Sequence, residues 1–328
     1  MFKELKGKGL LIHHWDTDGI CSAKLILERL KNIEIKNVTP TLGNYYLTEE
    51  ELNKYSKYDF VIILDMSLPK ENVLRLAENA KVMIFDHHLG EVIKGIFHHN
   101  PVIKGENPNL YPSASWIVNE YLGNDINLFA VLGIIGDHEQ NIKKNQEFTK
   151  KIDDFCQKNN LSFEDLHKMA YLLDTNYKID DKEAVEQAPH LLLKIQSGEE
   201  ILNNEKWKKN LNNLNNEIDK ILGIPDEKID DIIFKKISTS YNIISTITRK
   251  IAWDSGKNAL VVNTGFFNDK DQVYMRSKKD ASPMIKRGKE LGFKCGGKKE
   301  VLGAIVPKDK TNMFIEEIIL FLENKKGG

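Results

Sequence analysis

The chain has 328 residues, with 47 basic and 48 acidic side chains and a formal net charge of −1. The length allows two domains with separate cores, and 41% apolar with 29% charged residues is the composition of a soluble globular protein. The balanced charge argues against binding that relies on a broad basic surface over long duplex DNA, while it permits nucleic-acid binding in a local groove.

Strand and helix patterns alternate over the first 140 residues. Apolar runs predict strands at 9–14, 60–67 and 81–88, and helical spacing predicts helices at 22–30 and 72–80. The apolar stretch 127–135 fits either a helix or a buried strand. Strands that are apolar throughout are buried on both faces, so this order predicts an α/β fold with parallel strands joined by crossover helices.

The rest of the chain divides into a helical part and a second α/β part. Residues 141–225 are rich in Lys, Asn, Glu and Leu at helical spacing, and Pro225 lies in a charged segment typical of a boundary. Later strands are predicted at 231–237, 258–266 and 271–277, later helices at 241–253, 282–292 and 312–322, and a glycine-rich loop at 295–303 that leads into a strand. We therefore predict a first α/β domain at 1–195, a helical linker at 196–228 and a smaller α/β domain at 229–328.

Membrane and disulfide-rich classes do not fit this sequence. No apolar run approaches the ~18 residues that span a bilayer, and the N-terminal segment has no signal-peptide cleavage site. Three distant cysteines, Cys21, Cys156 and Cys295, without a CxxC pair, indicate reduced thiols. We expect a cytoplasmic protein with no membrane partner.

Acidic and imidazole side chains follow four successive apolar segments. They are His13, His14, Asp16 and Asp18 after the first, Asp65 after the second, Asp86, His87 and His88 after the third, and Asp137 and His138 after the fourth. Because the carboxyl ends of parallel strands share one edge of a sheet, we expect these side chains to converge there. Acids so close together repel one another unless a divalent cation is bound, and mixed carboxylate and imidazole ligands suit Mn²⁺ or Zn²⁺ better than Ca²⁺.

Several of these residues have a simpler interpretation when each is taken alone. Asp65 could be a helix cap or a turn residue, and His13 could point into the sheet because adjacent strand residues face opposite sides. His138 fits a packing role as well as a place beside the ligands, and the pair His98–His99 is expected at the surface. The coincidence at four successive segments favours a shared metal site over four unrelated turns.

These motifs resemble those of the DHH phosphoesterase superfamily. The matching segments, in order, are HWDTDG (14–19), the strand-end Asp65, DHH (86–88) and GD (136–137). The C-terminal part resembles the DHHA1 domain of one branch, through YMRS (274–277) and CGGKKEVLG (295–303). The resemblance covers most of the chain except its helical middle.

The first motif narrows the branch. His14 lies two residues before Asp16, as in archaeal relatives of the RecJ exonuclease. Bacterial nanoRNases and family II pyrophosphatases carry the histidine four residues before the aspartate, where this chain has Ile12. The resemblance therefore points to the archaeal RecJ-like branch.

The resemblance also implies roles for the site residues. One metal ion would be held by His14, Asp16 and Asp65, and the other by Asp18, Asp65, His87 and Asp137, with Asp65 bridging. His88 would contact the phosphate oxygens of the substrate, and Asp86 would orient its neighbours. The expected cofactors are two divalent ions, Mn²⁺ first, with Mg²⁺ and Co²⁺ as alternatives.

The second domain is expected to close over the first and to hold the substrate through Arg276, Ser277 and the loop Gly296, Gly297 and Lys298. The family loop usually reads GGHxxAxG, and this chain has Lys298 where the family has histidine. A lysine can hold a phosphate but cannot stack on a base. The alternative for this loop is a simple hairpin with exposed lysines. Trp15 and Tyr111 could stack bases, although packing is the favoured role for both.

The predicted function is metal-dependent, single-strand-specific exonuclease activity on DNA, RNA or both, in replication or repair. An alternative is a phosphoesterase for short oligonucleotides, cyclic dinucleotides or adenosine bisphosphate. A non-enzymatic alternative is a replication scaffold resembling Cdc45, against which the intact ligand set argues. Single-stranded nucleic acid is the expected partner, together with a replisome or repair-helicase protein.

Overall fold

The computed structural model describes residues 2–323, without the side chains of Lys3 and Lys298. The chain forms two compact units. Unit 1 ends at Leu211 and excludes Lys178–Asp180, whereas unit 2 runs from Asn212 onward and includes that short segment. The division falls inside the helix Glu205–Leu222.

Unit 1 contains a sheet of five parallel strands in the order β2-β1-β3-β4-β5. The strands are β1 (Gly9–His13), β2 (Ile35–Val38), β3 (Phe60–Leu64), β4 (Lys81–Phe85) and β5 (Phe97–His99). The strands β1 and β3 are buried throughout, as their continuous apolar sequence predicts for a sheet covered on both faces. The predicted strands at 9–14, 60–67 and 81–88 and their parallel pairing are confirmed.

Helices cover this sheet and continue into the predicted helical middle. They are α1 (Thr17–Arg29), α2 (Glu49–Tyr55), α3 (Lys70–Ala77), α4 (Ala114–Tyr121), α5 (Leu128–His138), α6 (Gln146–Asn159), α7 (Phe163–Lys178), α8 (Lys182–Leu192), α9 (Gly198–Leu202) and α10 (Glu205–Leu222). The predicted helices at 22–30 and 72–80 correspond to α1 and α3. The helical pattern from 197 to 222 is divided between α9 and α10.

The strand order sets the place of the candidate site. The chain passes from β1 to β2 at one side of the sheet and then to β3 at the other side of β1. The ends of β1 and β3 therefore flank a topological switch point, where a crevice opens at the carboxyl edge of a parallel sheet. The segment 14–19 directly follows β1 and Asp65 directly follows β3, so both lie at this crevice.

The structure decides one ambiguous segment and corrects one expectation. Residues 127–135 belong to the helix α5, because the Asn127 side chain accepts hydrogen bonds from the backbone N–H groups of Phe129 and Ala130 and starts a helix there. The fourth group of ligands thus follows no strand but lies in the last turn of a helix. His98 and His99 are not simply at the surface, because both are half-buried in the edge strand β5.

Unit 2 contains a six-stranded mixed sheet in the order β10-β11-β9-β8-β7-β6. Its strands are β6 (Glu227–Ile229), β7 (Ile232–Ile237), β8 (Asn258–Asn263), β9 (Lys270–Arg276), β10 (Lys294–Lys298) and β11 (Val301–Pro307), and its helices are α11 (Ile244–Ser255), α12 (Ser282–Glu290) and α13 (Thr311–Glu323). Among the described strands of this second sheet, only β7 and β8 pair in parallel. The core lies between this sheet and α12 and α13, with Phe314, Leu302 and Met275 fully buried.

The glycine-rich segment is a hairpin rather than a loop. Strands β10 and β11 pair antiparallel, with Lys298 opposite Val301 across a two-residue turn. Gly297 has φ +152°, and a Cβ atom there would lie 1.9 Å from the carbonyl oxygen of Val301. Any side chain at this position would collide with backbone, so glycine is required by the hairpin itself.

Within residues 2–323, no helix is both long and apolar enough to cross a membrane.

Candidate metal centre

The first group of converging side chains joins the ends of β1 and β3. His14 Nδ1 lies 2.7 Å from Asp16 Oδ2 and 3.6 Å from Asp65 Oδ2. Asp16 is the N-cap of α1, and its other oxygen accepts a hydrogen bond from Gly19 N–H. A Cβ atom on Gly19 would lie 2.2 Å from the His14 carbonyl oxygen, so this glycine lets α1 start close against β1.

Two further groups share residues with the first. Potential ligand atoms of Asp18, His87 and Asp137 lie within 4.8 Å of one another, and so do those of Asp65, His87 and His88. Asp65 also belongs to the group of His14 and Asp16. Asp65 is therefore shared by two of these groups, and the bridging role that the resemblance implies for it stays a prediction.

The short distances within these groups are not hydrogen bonds. His87 Nε2 lies 3.4 Å from Asp65 Oδ1 and 3.1 Å from Asp137 Oδ2, yet it has no hydrogen-bond partner among the described residues. Both oxygens of Asp65 and Nε2 of His14 are likewise buried without a partner in this part of the chain. Buried polar atoms without partners are costly, and atoms that converge without bonding each other fit bound cations.

Asp65 has a strained backbone. Its φ is +57°, in the left-handed region that residues other than glycine rarely adopt. The Asp65 N–H donates to the Phe85 carbonyl at 2.9 Å, which fixes the turn at the end of β3. Because its side chain is only 1% exposed, the strain holds a buried carboxylate at the switch point of the sheet.

The pKa values show excess buried charge. Burial, followed by the charge of Asp137, raises the pKa of Asp18 to about 6. Burial, with the charges of Asp18 and Asp16, raises the pKa of Asp65 well above its usual value. Burial acts to lower the pKa of His87, but its contacts with Asp137 and Asp65 outweigh burial and raise it. A divalent cation would stabilise these carboxylates in their charged form.

Asp18 is held by the start of α4, which sequence reasoning missed. Its Oδ2 accepts from Ala114 N–H at 2.6 Å, and its Oδ1 accepts from Ser115 N–H at 2.9 Å. Ser113 caps the same helix by accepting from Trp116 N–H. A helix N-terminus stabilises a carboxylate, so α4 keeps Asp18 in place beside its acidic neighbours.

Asp86 forms a pair with His88, which is a member of the group of Asp65 and His87. Asp86 Oδ1 lies 2.7 Å from His88 Nδ1 and accepts from the His88 backbone N–H at 3.3 Å. The His88 carbonyl accepts from Asn100, a buried residue that sequence reasoning did not select. The His88 side chain is 48% exposed, so one edge of its ring is open to a ligand.

Other selected residues have structural roles. His13 is fully buried between the His14 carbonyl and Asn37, and burial lowers its pKa to about 4. His138 contacts the Pro112 carbonyl at 2.9 Å through Nε2. Trp15 is 3% exposed and packs against His14, which favours its packing role.

The residues selected in unit 2 lie at one end of its sheet. Arg276 pairs with Val301 across β9 and β11, next to the hairpin that contains Gly296 and Gly297. Ser277 is buried, and its hydroxyl accepts a hydrogen bond from Lys279 N–H within a tight turn. The side chain of Lys298 lies outside the described part of the structure, so its role stays a prediction.

The comparisons with known proteins concern the domain and the fold. Residues 9–156 match the profile described as DHH family, N-terminal domain. This part of the chain is a DHH family N-terminal domain. This domain contains all six predicted ligands of the metal centre. Among curated proteins, none matches the sequence significantly.

Several solved structures share the fold at low identity. RecJ from Thermus thermophilus in complex with Mn²⁺ superposes with a TM-score of 0.69 at 15% identity, over 97% of this chain and 52% of that chain. CDC45 from Entamoeba histolytica gives 0.55 at 9% identity, over 96% and 95%. PggH from Vibrio cholerae, a pGpG-specific phosphodiesterase, gives 0.50 at 13%, over 97% and 99%. This chain thus spans about half the length of that RecJ.

Proposed function

We propose that this DHH phosphoesterase fold serves a metal-dependent exonuclease that hydrolyses phosphodiester bonds of single-stranded DNA, RNA or both. The observation that carries the proposal is the position of Asp65, whose two unpartnered oxygens face two clusters of acidic and imidazole ligands. The likeness to a RecJ fold supports the choice of substrate class.

Two divalent ions fit this donor set. His14, Asp16 and Asp65 would hold one, and Asp18, His87, Asp137 and Asp65 the other, with Mn²⁺ as the first choice and Mg²⁺ or Co²⁺ as alternatives. Two such ions would lower the pKa of a water molecule and neutralise charge on the scissile phosphate. The α4 N-terminus and the strained turn at Asp65 would keep two of the carboxylates in place.

His88 is proposed to contact the phosphate. The Asp86 carboxylate lies 2.7 Å from His88 Nδ1 and fixes the orientation of the ring. The opposite nitrogen, Nε2, would contact a phosphate oxygen, where negative charge develops during hydrolysis. Asp86 acts by orienting His88 and does not need to touch the substrate.

The test is digestion of end-labelled 5-mer and 30-mer strands of DNA and RNA with Mn²⁺. We expect the 30-mer single strand to be degraded and a blunt duplex of the same sequence to resist. Asp65→Ala should remove nearly all activity, whereas Asp153→Ala, at an exposed acid of α6, should leave it unchanged. Degradation of duplex and single strand at equal rates would overturn the single-strand proposal.

A phosphodiesterase for short nucleotides is the second candidate. The observation in its favour is that the alignment with PggH covers 97% of this chain and 99% of PggH. In the same digestion, rapid cleavage of the 5-mer and of pGpG with no cleavage of the 30-mer would select this candidate. A scaffold resembling Cdc45 predicts no Mn²⁺-dependent turnover of any of these substrates.

The cellular setting is part of the proposal. We propose a cytoplasmic protein that acts in DNA replication or repair, belongs to the archaeal RecJ-like branch and associates with a replisome or repair-helicase protein. The fold shared with CDC45 supports a link to replication proteins. Co-purification with tagged replication proteins from the source cells would test the association.

A further inference from the structure

Trp253 is a large apolar side chain left in solvent on unit 2. It is 63% exposed on α11, whereas the other three tryptophans, Trp15, Trp116 and Trp207, are at most 8% exposed. An exposed indole gains nothing from burial in the fold, and tryptophan at a surface often marks a binding site.

Two arginines lie against the ring of Trp253. The guanidinium carbon of Arg249 is 5.3 Å from the ring centroid, and that of Arg276 is 5.7 Å away. Arg249 precedes Trp253 by one helical turn, and Arg276 reaches the ring from the end of β9. These cation–π contacts place two positive charges beside an exposed aromatic surface.

Arg276 also has an unmet donor. Its Nε–H is buried and has no hydrogen-bond partner within the described part of the chain. A buried N–H group without an acceptor destabilises the folded protein. Phosphate oxygens are strong acceptors for guanidinium groups, so a bound phosphate would satisfy this donor.

The charge of the chain is unevenly divided. Residues 212–328 contain 21 basic and 16 acidic side chains, whereas residues 1–211 contain 26 basic and 32 acidic. The region that carries Trp253 is therefore net positive, and the region that carries the metal ligands is net negative. An anionic strand would be drawn to the basic region.

We infer that Trp253, Arg249 and Arg276 form a platform on which a nucleobase of a single strand stacks while the two arginines hold neighbouring phosphates. The platform rests on the proposed function, and it adds a second strand contact in unit 2. Stacking requires a base that is not already paired and stacked within a duplex, so the platform selects single strands. An aromatic ring accepts any base, so the contact does not select a sequence.

The test measures strand binding by the full chain in EDTA, where hydrolysis is prevented. Binding of dT30 should quench tryptophan fluorescence, because Trp253 is the exposed indole. Trp253→Phe should abolish the quenching but keep the affinity, since an aromatic ring remains. Trp253→Ala should weaken binding by roughly tenfold at low salt, the usual size of one base–aromatic stack.

The controls separate the platform from general damage and from the proposed function. Leu320→Ala changes a residue of α13 that is 60% exposed, and should leave binding unchanged. All variants should keep the melting temperature of the wild type. Binding by Trp253→Ala within twofold of the wild type would overturn the platform, as would affinity that depends on Trp253 for a protein ligand but not for a strand. If Mn²⁺ supports no strand cleavage while Trp253→Ala still weakens binding, the proposed exonuclease fails and the platform stands.

Discussion

Asp65 combines strain, burial and repulsion in one residue. Its backbone has φ +57°, its side chain is 1% exposed, and its carboxylate lies among Asp16, Asp18 and Asp137. Such an arrangement costs stability and persists where function requires it. The stability and activity of the protein should therefore respond to this residue in opposite directions.

We expect Asp65→Asn to raise the melting temperature of the metal-free protein, because an uncharged amide removes buried repulsion. The same variant should lose at least a hundredfold in activity and most of the stabilisation that Mn²⁺ gives to the wild type. Thermal melts in EDTA and in Mn²⁺ measure both effects. A lower melting temperature in EDTA would show that Asp65 is not a source of repulsion.

The raised pKa of Asp18 predicts how the free energy of unfolding depends on pH. Its pKa in the folded protein is raised to about 6 from an ordinary value of 3.8, so the folded state binds the proton more tightly than the unfolded chain. The stability due to this proton is complete below pH 4 and is lost as pH rises through 6, by roughly 2–3 kcal/mol.

The measurement compares the wild type with Asp18→Asn in EDTA, by denaturant unfolding from pH 4 to pH 7. The difference in unfolding free energy between the two should grow in favour of the variant as pH rises. Saturating Mn²⁺ should reverse the order at pH 7, since the cation stabilises the carboxylate. A difference that does not change with pH would contradict the raised pKa.

At the scale of elements, helix termini position three of the proposed metal ligands. Asp16 starts α1, and the N-terminus of α4 holds Asp18 through the N–H groups of Ala114 and Ser115. Asp137 lies in the last turn of α5. The ligands therefore depend on helix ends as well as on strand ends.

Ser113→Ala tests this dependence. Loss of the N-cap should destabilise the protein by about 1 kcal/mol and also raise the Mn²⁺ concentration that gives half-maximal activity, because α4 holds Asp18. Thr48→Ala removes the N-cap of α2, remote in sequence from every ligand, and is the matched control. It should cost similar stability with no change in Mn²⁺ dependence. Equal metal effects in both variants would mean that α4 does not position Asp18.

At the scale of the whole molecule, metal binding and folding should be linked. An unfolded chain does not bring six ligands from four segments together, so an ion that binds the folded state stabilises it. We expect calorimetric titration to find two Mn²⁺ ions per chain and the melting temperature to rise with Mn²⁺ concentration. A stoichiometry of one at saturation would contradict the bridged site.

The sequence by itself determined the parallel sheet and the chemical type of the site. Continuous apolar runs identify β1, β3 and β4, because burial on both faces leaves a local signature. The sequence also identifies the acids and imidazoles at 14–18, 65, 86–88 and 136–138, because each group directly follows an apolar segment. The short edge strands β2 and β5 carry no such signature and were missed.

Only the tertiary structure decided which groups meet. Periodicity could not separate helix from strand at 127–135, and the cap at Asn127 with burial of α5 made it a helix. The bond from Ala114 N–H to Asp18 spans 96 residues, and the contact between Arg276 and Trp253 joins a strand to a helix. Local sequence patterns report which face of an element is buried, whereas contacts between distant residues depend on how whole elements pack.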